Sequence, residues 1–510
     1  MAQNDADHKK PLRFPGQIVR ANDHTQTCLF SRLIQYSKTK LNMSKHVQAA
    51  LLLLLTTGNC VFAAHHDEDH DHTHVVKVKP AEMYAPSAMP DRVVLTLNEN
   101  PKTTQTVTWR TSVEVSKGLA EIAKAESGPR FPESAAQFVA TSEALKSDLN
   151  TAHYHSITFR ELEPGTTYAY RVGDGTNWTE WFQFETAPAK NKPFSFVYFG
   201  DAQNDVRSMW SRVIRQANRD APKAAFMLHA GDLVNHSGSD AEWGEWFGGG
   251  SWLNAMTPVV AIPGNHEHVK VDGVRRHLAP HWRKVFTFPE NGPLGLKETC
   301  FTVVYQNLRI IGMNSMTMHQ QQAQWLEQVL AENECPWIVC TFHHPVYSTA
   351  KKKDDNVELR SLWKPIFDKY KVDLVLQGHD HTYGRTSMEV PEADSLASYF
   401  PKREHQKEIM GDTNQATGLQ VIDKDAGTVY VVSVSGPKMY DHTNYAFMKR
   451  AAEDTQLYQV IHIDGDVLRF EARTAIGKLY DAFELRKQKG KINKLVEIEP
   501  EVRENLRPEE

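Results

Sequence analysis

Asp201, Asp232, Asn265, His343 and the pair His379 and His381 each follow a short apolar run. Residues 194–199 lead into Gly200-Asp201, and residues 224–228 precede Gly231-Asp232. Residues 259–263 run into Gly264-Asn265-His266-Glu267, residues 337–342 into His343-His344-Pro345, and residues 373–377 into Gly378-His379-Asp380-His381. Carboxylate, amide and imidazole donors of this kind suit iron, manganese or zinc rather than thiolate-seeking metals. Two carboxylates with three imidazoles point to more than one cation, because one carboxylate can bridge a pair. Two close cations clamp the attacking and leaving oxygens of a phosphoryl transfer and lower the pKa of bound water. Taken singly, these motifs say little: Gly-Asp occurs in many turns, and Asn265 alone reads as a turn residue. Their order, each at the end of an apolar run, carries the signal.

Such residues can meet only if the elements before them are parallel strands of a layered fold, where ligands bind beyond the carboxyl ends of the strands. The pattern after residue 193 fits that demand. Strand-like runs alternate with helical stretches near residues 209–218, 243–253, 321–331 and 357–370, which predicts an α/β domain with a largely buried sheet. A small residue just before a ligand lets the chain turn sharply into the crevice. Residues 427–436 read as a further buried strand, and residues 456–463 and 467–474 as a hairpin around Asp464-Gly465-Asp466. Residues 387–424 are polar and read as a surface insertion near the mouth of the site. Before residue 188 the texture differs. Short alternating runs at 93–97, 106–110, 153–159 and 167–172, separated by turn signals such as Glu163-Pro164-Gly165, predict a β-sandwich with Trp109 and Tyr168 in its core.

With 510 residues the chain is long enough for two or three domains. A formal net charge of −5 offers no global basic field, so no nucleic-acid-binding surface is indicated. Residues 47–64 carry a leucine core at 51–55, a preceding Lys45 and a small-residue end at Val61-Phe62-Ala63, which reads as a secretory signal. Export to a periplasmic or extracellular space follows, with no membrane span once the signal is removed. The polar residues 1–42 fit poorly before such a signal, and translation is expected to begin at Met43. The tract at 65–74, rich in His and Asp, is either a loose divalent-metal binder or a solvated tail. Cys300, Cys335 and Cys340 are too few for a disulfide scaffold, though an oxidising compartment allows one bridge. The expected organisation is an extension and signal over 1–64, a His/Asp-rich segment over 65–79, a β-sandwich over 80–188, an α/β catalytic domain over 193–486 and a charged tail over 487–510 that frays.

The ordered motif series resembles the metallophosphoesterase superfamily, and within it the purple acid phosphatases. Residues 162–172 resemble the late strands of a fibronectin type III-like domain. The resemblance implies a fibronectin-like sandwich followed by a four-layer αββα catalytic domain, and a dinuclear-metal phosphoesterase that hydrolyses phosphate monoesters by attack of metal-bound hydroxide. It also implies a ligand set. Asp201 and His381 hold the first metal, Asp232 bridges, and Asn265, His343 and His379 hold the second; the pair is divalent or mixed-valence Fe, Mn or Zn. By the same resemblance Asn265 and His266 contact the substrate phosphate, and His266 donates a proton to the leaving alkoxide. Glu267 either orients His266 or is a helix-start carboxylate. His344 either touches phosphate or packs beside Pro345. Tyr347 and Lys351 to Lys353 either line the substrate mouth or belong to ordinary surface. Two departures stand out. Asn235 occupies the place of the tyrosine that gives purple members their ferric tyrosinate and colour, so a less strongly ferric site is expected. Gln203 stands where a glycine is usual, and either bonds a metal-bound water or substrate or is a loop residue. Two alternatives remain open: a phosphodiesterase or nucleotidase, and a cell-surface binding protein with a relict metal site.

Overall fold

The computed structural model describes residues 78–271, 275–351, 356–393, 422–423 and 425–507. The signal stretch, the His/Asp tract, Met43, Lys352, Lys353 and most of the 387–424 insertion lie outside the described residues.

Alternating β-branched and aromatic residues build a sandwich of eight strands: β1 (Asp91–Thr96), β2 (Gln105–Ser112), β3 (Leu119–Lys124), β4 (Ala136–Val139), β5 (Thr141–Lys146), β6 (Thr151–Phe159), β7 (Thr167–Gly173) and β8 (Phe182–Glu185). One sheet has the order β1-β2-β6-β5 and the other β4-β3-β7-β8, antiparallel throughout. Leu95, Val107, Trp109, Ile122, Tyr168, Tyr170 and Phe184 fill the space between them. Every second residue of a strand faces that interior, as the two-residue repeat of a pleated strand requires.

Two larger sheets follow. The first runs β9 (Phe194–Phe199), β10 (Met227–His229) and β11 (Val259–Ala261) in parallel. A hairpin of β12 (His268–Val271) and β13 (Arg275–Leu278) comes next. The second sheet is built on β14 (Phe301–Tyr305), β15 (Leu308–Gly312), β16 (Trp337–Thr341) and β17 (Leu374–Gln377), with β15, β16 and β17 parallel. It is completed by β18 (Tyr383–Thr386), β21 (Val429–Val432) and β22 (Met448–Ala452), while β19 (Val390–Pro391) and β20 (Ile422–Asp423) form a separate short ribbon. Strands β23 (Leu457–Asp464), β24 (Val467–Thr474), β25 (Leu479–Gln488) and β26 (Lys491–Ile498) return to the first sheet as an antiparallel meander on β9.

Successive residues of the second sheet choose opposite sides. Ile310, Val339, Leu374 and Val431 share a core with Phe196, Leu228 and Val260 of the first sheet. Ile311, Cys340, Val375 and Tyr430 instead pack with Leu326, Trp363 and Phe367 from the helices His319–Ala331 and Val357–Tyr370. The helices Ser211–Asp220 and Asp240–Gly250 place Val213, Ile214, Trp243 and Trp246 in the core of the first sheet. The result is helices, sheet, sheet and helices, as expected.

Two expectations need correction. The strand before Asp232 begins at Met227, because Ala224 and Ala225 belong to the turn that enters it. The charged tail does not fray from residue 487: β26 pairs with β25, its Ile492, Leu495, Val496 and Ile498 half-buried while Lys491, Lys494 and Glu497 stay exposed at the sheet edge. The sandwich and the catalytic domain also share a sheet. Thr96 of β1 registers in parallel with Val259 of β11, and the Leu97 N–H donates to the Val259 carbonyl at 3.2 Å. One sheet of eleven strands therefore runs through both, and the described residues form one compact unit. Among the described residues, Cys300, Cys335 and Cys340 are all free.

The seam is also ionic. Asp240 accepts from Arg92 at 2.6 and 2.9 Å and from Arg110 at 3.2 Å, with each side chain 2–3% exposed. Burial alone would raise the Asp240 carboxyl, but His281 and the two guanidinium groups outweigh it and hold the group well below the usual carboxylate range. Asp240→Ala would leave Arg92 buried without a counter-charge. Denaturant unfolding should show a loss of about 3–5 kcal/mol; a loss below about 1 kcal/mol would mean that the seam does not depend on this carboxylate.

His155 is buried in the sandwich, with Thr111 Oγ1 2.7 Å from Nε2 and Ser142 Oγ 2.7 Å from Nδ1. Burial, and then the charge of His153, lower its pKa to about 4. The unfolded ring takes a proton near pH 6.5, so the folded state disfavours protonation. Its contribution is complete above about pH 6.5 and is lost as the pH falls toward 4, by about 3 kcal/mol at most. Unfolding free energies measured across that window should fall with acidification in the wild type and fall less steeply in His155→Gln.

Candidate metal centre

The carboxyl ends of β9, β10 and β11 from one sheet and of β16 and β17 from the other open onto one site. Asp201, Asp232 and His381 each bring a carboxylate or imidazole atom within 4.8 Å of the others, and His343, His344 and His379 do the same. The two groups adjoin. His381 Nε2 lies 3.0 Å from Asp201 Oδ2, and His343 Nε2 lies 3.2 Å from Asp232 Oδ2. Asn265 Oδ1 is 3.1 Å from His343 Nε2 and 2.9 Å from His379 Nδ1. All six residues expected from the sequence therefore converge.

Backbone conformation makes the convergence possible. Asp232, His379 and His381 adopt φ of 50°, 74° and 46°, in the left-handed region that side chains rarely occupy. Each such residue costs of order 1 kcal/mol or more and persists where surrounding contacts over-determine it. Those contacts are visible: the His379 N–H donates to Asp201 Oδ1 at 2.7 Å, and the His266 N–H donates to Asp232 Oδ1 at 2.8 Å. The preceding glycines allow the approach. A Cβ on Gly264 would lie 2.2 Å from Asp232 Oδ1, and one on Gly378 would lie 2.2 Å from Asp201 Oδ1.

Carbonyls fix the imidazoles. His343 Nδ1 lies 2.9 Å from the Ala230 carbonyl, and His381 Nδ1 lies 2.9 Å from that of Lys438. A ring that donates its Nδ1–H in this way turns the Nε2 lone pair toward the site, as metal-binding histidines do. His266 follows the same rule: its Nδ1 is 2.6 Å from the Asn235 carbonyl, and its Nε2 is 4.0 Å from Asp232 Oδ2.

The charge balance supports cations. Asp201 and Asp232 are 0% and 1% exposed, and no lysine or arginine pairs with either among the described residues. Asp201 Oδ2 accepts no hydrogen bond there. Burial opposes charge on Asp232, yet the neighbouring His343 outweighs it and keeps the carboxyl well below its ordinary range. Burial likewise lowers His343, while Asp232 and Asp201 push it up to about 10. A proton on His343 thus stands in for positive charge that the site needs, and a bound cation would displace it. The donor set of oxygen and imidazole suits Fe, Mn or Zn.

Other expectations fare differently. Gln203 is buried on the loop after β9, with Nε2 3.1 Å from Asp232 Oδ2 and 2.8 Å from His381 Nε2, and so contacts two of the expected ligands. The His344 ring stands 4.4 Å from that of His379, and its Nδ1 is 2.8 Å from Ser315 Oγ. Glu267 does not orient His266, a job the Asn235 carbonyl does. Its buried carboxylate accepts the N–H groups of Asp232 and Gly264, both at 2.8 Å, and that of Leu233 at 2.9 Å, stapling the two ligand loops together. Burial and the Asp232 charge push its carboxyl upward, against those donors. Tyr347 does not line the mouth. It is 1% exposed, its hydroxyl donates to the Pro391 carbonyl, and its ring packs on Tyr430 and Phe447. Lys351 is exposed and is fixed through its N–H to the Asp441 carbonyl. Sequence reasoning missed Ser315, Tyr440, which stacks on His381 at 4.6 Å, and the orienting carbonyls. A carbonyl leaves no trace in residue type.

Comparison with known proteins agrees with this geometry. Residues 90–186 match the family described as purple acid phosphatase, N-terminal domain, and residues 194–383 match calcineurin-like phosphoesterase. An uncharacterized protein of Mycobacterium tuberculosis is 28% identical over 330 residues, which cover 56% of this chain and 58% of that one. Human acid phosphatase type 7 is 29% identical over 342 residues, 59% of this chain and 72% of the human protein. The chain thus spans little more than half the length of the mycobacterial relative. The structure of a purple acid phosphatase from yellow lupin seeds superposes with a TM-score of 0.59 at 17% identity, covering 78% of this chain and 75% of the lupin chain, and so shares the fold. With both family matches adjoining in this order, on this fold, the chain belongs to the purple acid phosphatase-like metallophosphoesterases of the calcineurin-like superfamily.

Proposed function

We propose that this chain is an exported phosphoesterase that hydrolyses phosphate monoesters at a two-cation site. The observation that carries the reading is the pair of adjoining donor groups built around two buried carboxylates that have no lysine or arginine partner among the described residues. Asp201 and His381 would hold one cation, Asn265, His343 and His379 the other, and Asp232 would lie between them. Bound there, the cations supply Lewis-acid charge for the phosphoryl oxygens and a nucleophile from water near neutral pH. The protein's own groups do the rest. His266, fixed by the Asn235 carbonyl, would contact the phosphate and hand its Nε2 proton to the leaving oxygen. Gln203 would hold Asp232 and His381 in register. His344, in contact with His379, would face the phosphate from the other side. Export rests on the signal-like residues 47–64; no helix among the described residues is long and apolar enough to cross a membrane.

Asp232→Ala should abolish hydrolysis of p-nitrophenyl phosphate and lose bound metal by elemental analysis. His266→Ala should keep its metal while kcat falls about 10²- to 10⁴-fold. Full activity in Asp232→Ala would overturn the scheme. Turnover of p-nitrophenyl phosphate should exceed that of bis-p-nitrophenyl phosphate; the reverse order would make this a phosphodiesterase. With Asn235 in place of a tyrosine, the iron-loaded protein should lack a visible tyrosinate-to-iron absorption band, and a purple preparation would refute that expectation.

A further inference from the structure

A cavity of about 460 Å³ opens beside His266. Asn235, His236, Ser239, His266 and Lys270 line it from the catalytic domain. Asp148 lines it from the sandwich, on the loop that joins β5 to β6. Asp148 is exposed yet firmly placed. Its Oδ1 accepts the Asp240 N–H at 2.8 Å, and Asp240 is the carboxylate clamped by Arg92 and Arg110. Its other oxygen takes no hydrogen bond among the described residues.

The position of the cavity limits what can enter it. In the proposed reaction the bond from phosphorus to the leaving oxygen breaks, water supplies the new P–O bond, and the His266 proton goes to the leaving oxygen. The alcohol half of the ester must therefore lie on the His266 side. The chemistry of the walls limits the alcohol further. Asp148 only accepts hydrogen bonds, Lys270 only donates, and Ser239 and Asn235 do both. Among the described residues no phenylalanine, tyrosine or tryptophan lines the cavity; the rings there are the imidazoles of His236, His266 and His268. A hydroxyl-bearing alcohol can take the place of water on Asp148, Lys270, Ser239 and Asn235, whereas an apolar alcohol cannot.

We propose that the sandwich is part of the substrate site, that Asp148 accepts hydrogen bonds from the hydroxyls of the leaving alcohol, and that sugar or polyol phosphates are the favoured substrates. This rests on the phosphoesterase reading above. The test compares kcat/KM of the metal-loaded full chain for glucose 6-phosphate and for methyl phosphate, a primary alkyl ester too small to reach the cavity wall. The wild type should favour glucose 6-phosphate. Asp148→Ala should lower the ratio of the two values about tenfold. Asp148→Asn can still accept the Asp240 N–H, so it guards against misfolding, and it should lower the ratio as well. A folded Asp148→Asn with an unchanged ratio, or a wild type that favours methyl phosphate, would overturn the proposal while the phosphoesterase reading stands. If the metal-loaded wild type hydrolyses neither ester, nor p-nitrophenyl phosphate, the phosphoesterase reading falls and the subsite with it.

Discussion

Asp201 and Asp232 are withdrawn from water, and among the described residues no lysine or arginine answers their charge. An ionised carboxylate in such a place is costly unless it is paired or bound to metal. Around it the described residues offer imidazoles, amides and backbone N–H groups. Imidazoles can yield their protons and still bind, whereas a fixed guanidinium could not. Much of the local structure reads as a consequence of this constraint. The glycines bring backbone amides against the carboxylates, the carbonyls of Ala230 and Lys438 set the ring tautomers, and three ligand residues accept left-handed backbone.

Glu267 sharpens the point. A third buried carboxylate only a few residues from Asn265 would be hard to accommodate as another ligand in an already acidic site. The structure turns it away, onto the N–H groups of Asp232, Leu233 and Gly264. It thereby ties the loop after β10 to the loop after β11. Two loops that must present ligands to one another are thus joined by one side chain.

The ligands were readable because each stands at the end of a parallel strand, where an apolar run stops and a polar residue with coordinating chemistry begins. Such a boundary marks both residue type and position. The α/β alternation, the helix Val357–Tyr370 and the hairpin of β23 and β24 were legible for the same reason: periodicity and burial coincide there. Tyr347 was misplaced because its nearness in sequence to His343 says nothing about which side of the loop faces the core. β26 was missed because Lys491, Lys494 and Glu497 recur every third residue among residues that are only half-buried, so no two-residue repeat shows in the sequence. Orienting carbonyls and the β1–β11 register are set by main-chain geometry, which composition does not encode.

That register has an evolutionary side. Where a sheet passes unbroken from one module into the next, neither piece is free to be exchanged alone. A catalytic half severed at residues 187–193 would show β11 as a raw border, with open main-chain groups inviting foreign strands. It would also strand Asp240 without the two arginines that answer it. The appended sandwich is thus less a passenger than the outer plank of the hull, and gene rearrangements that shed it would be expected to yield insoluble protein before they yielded a smaller enzyme.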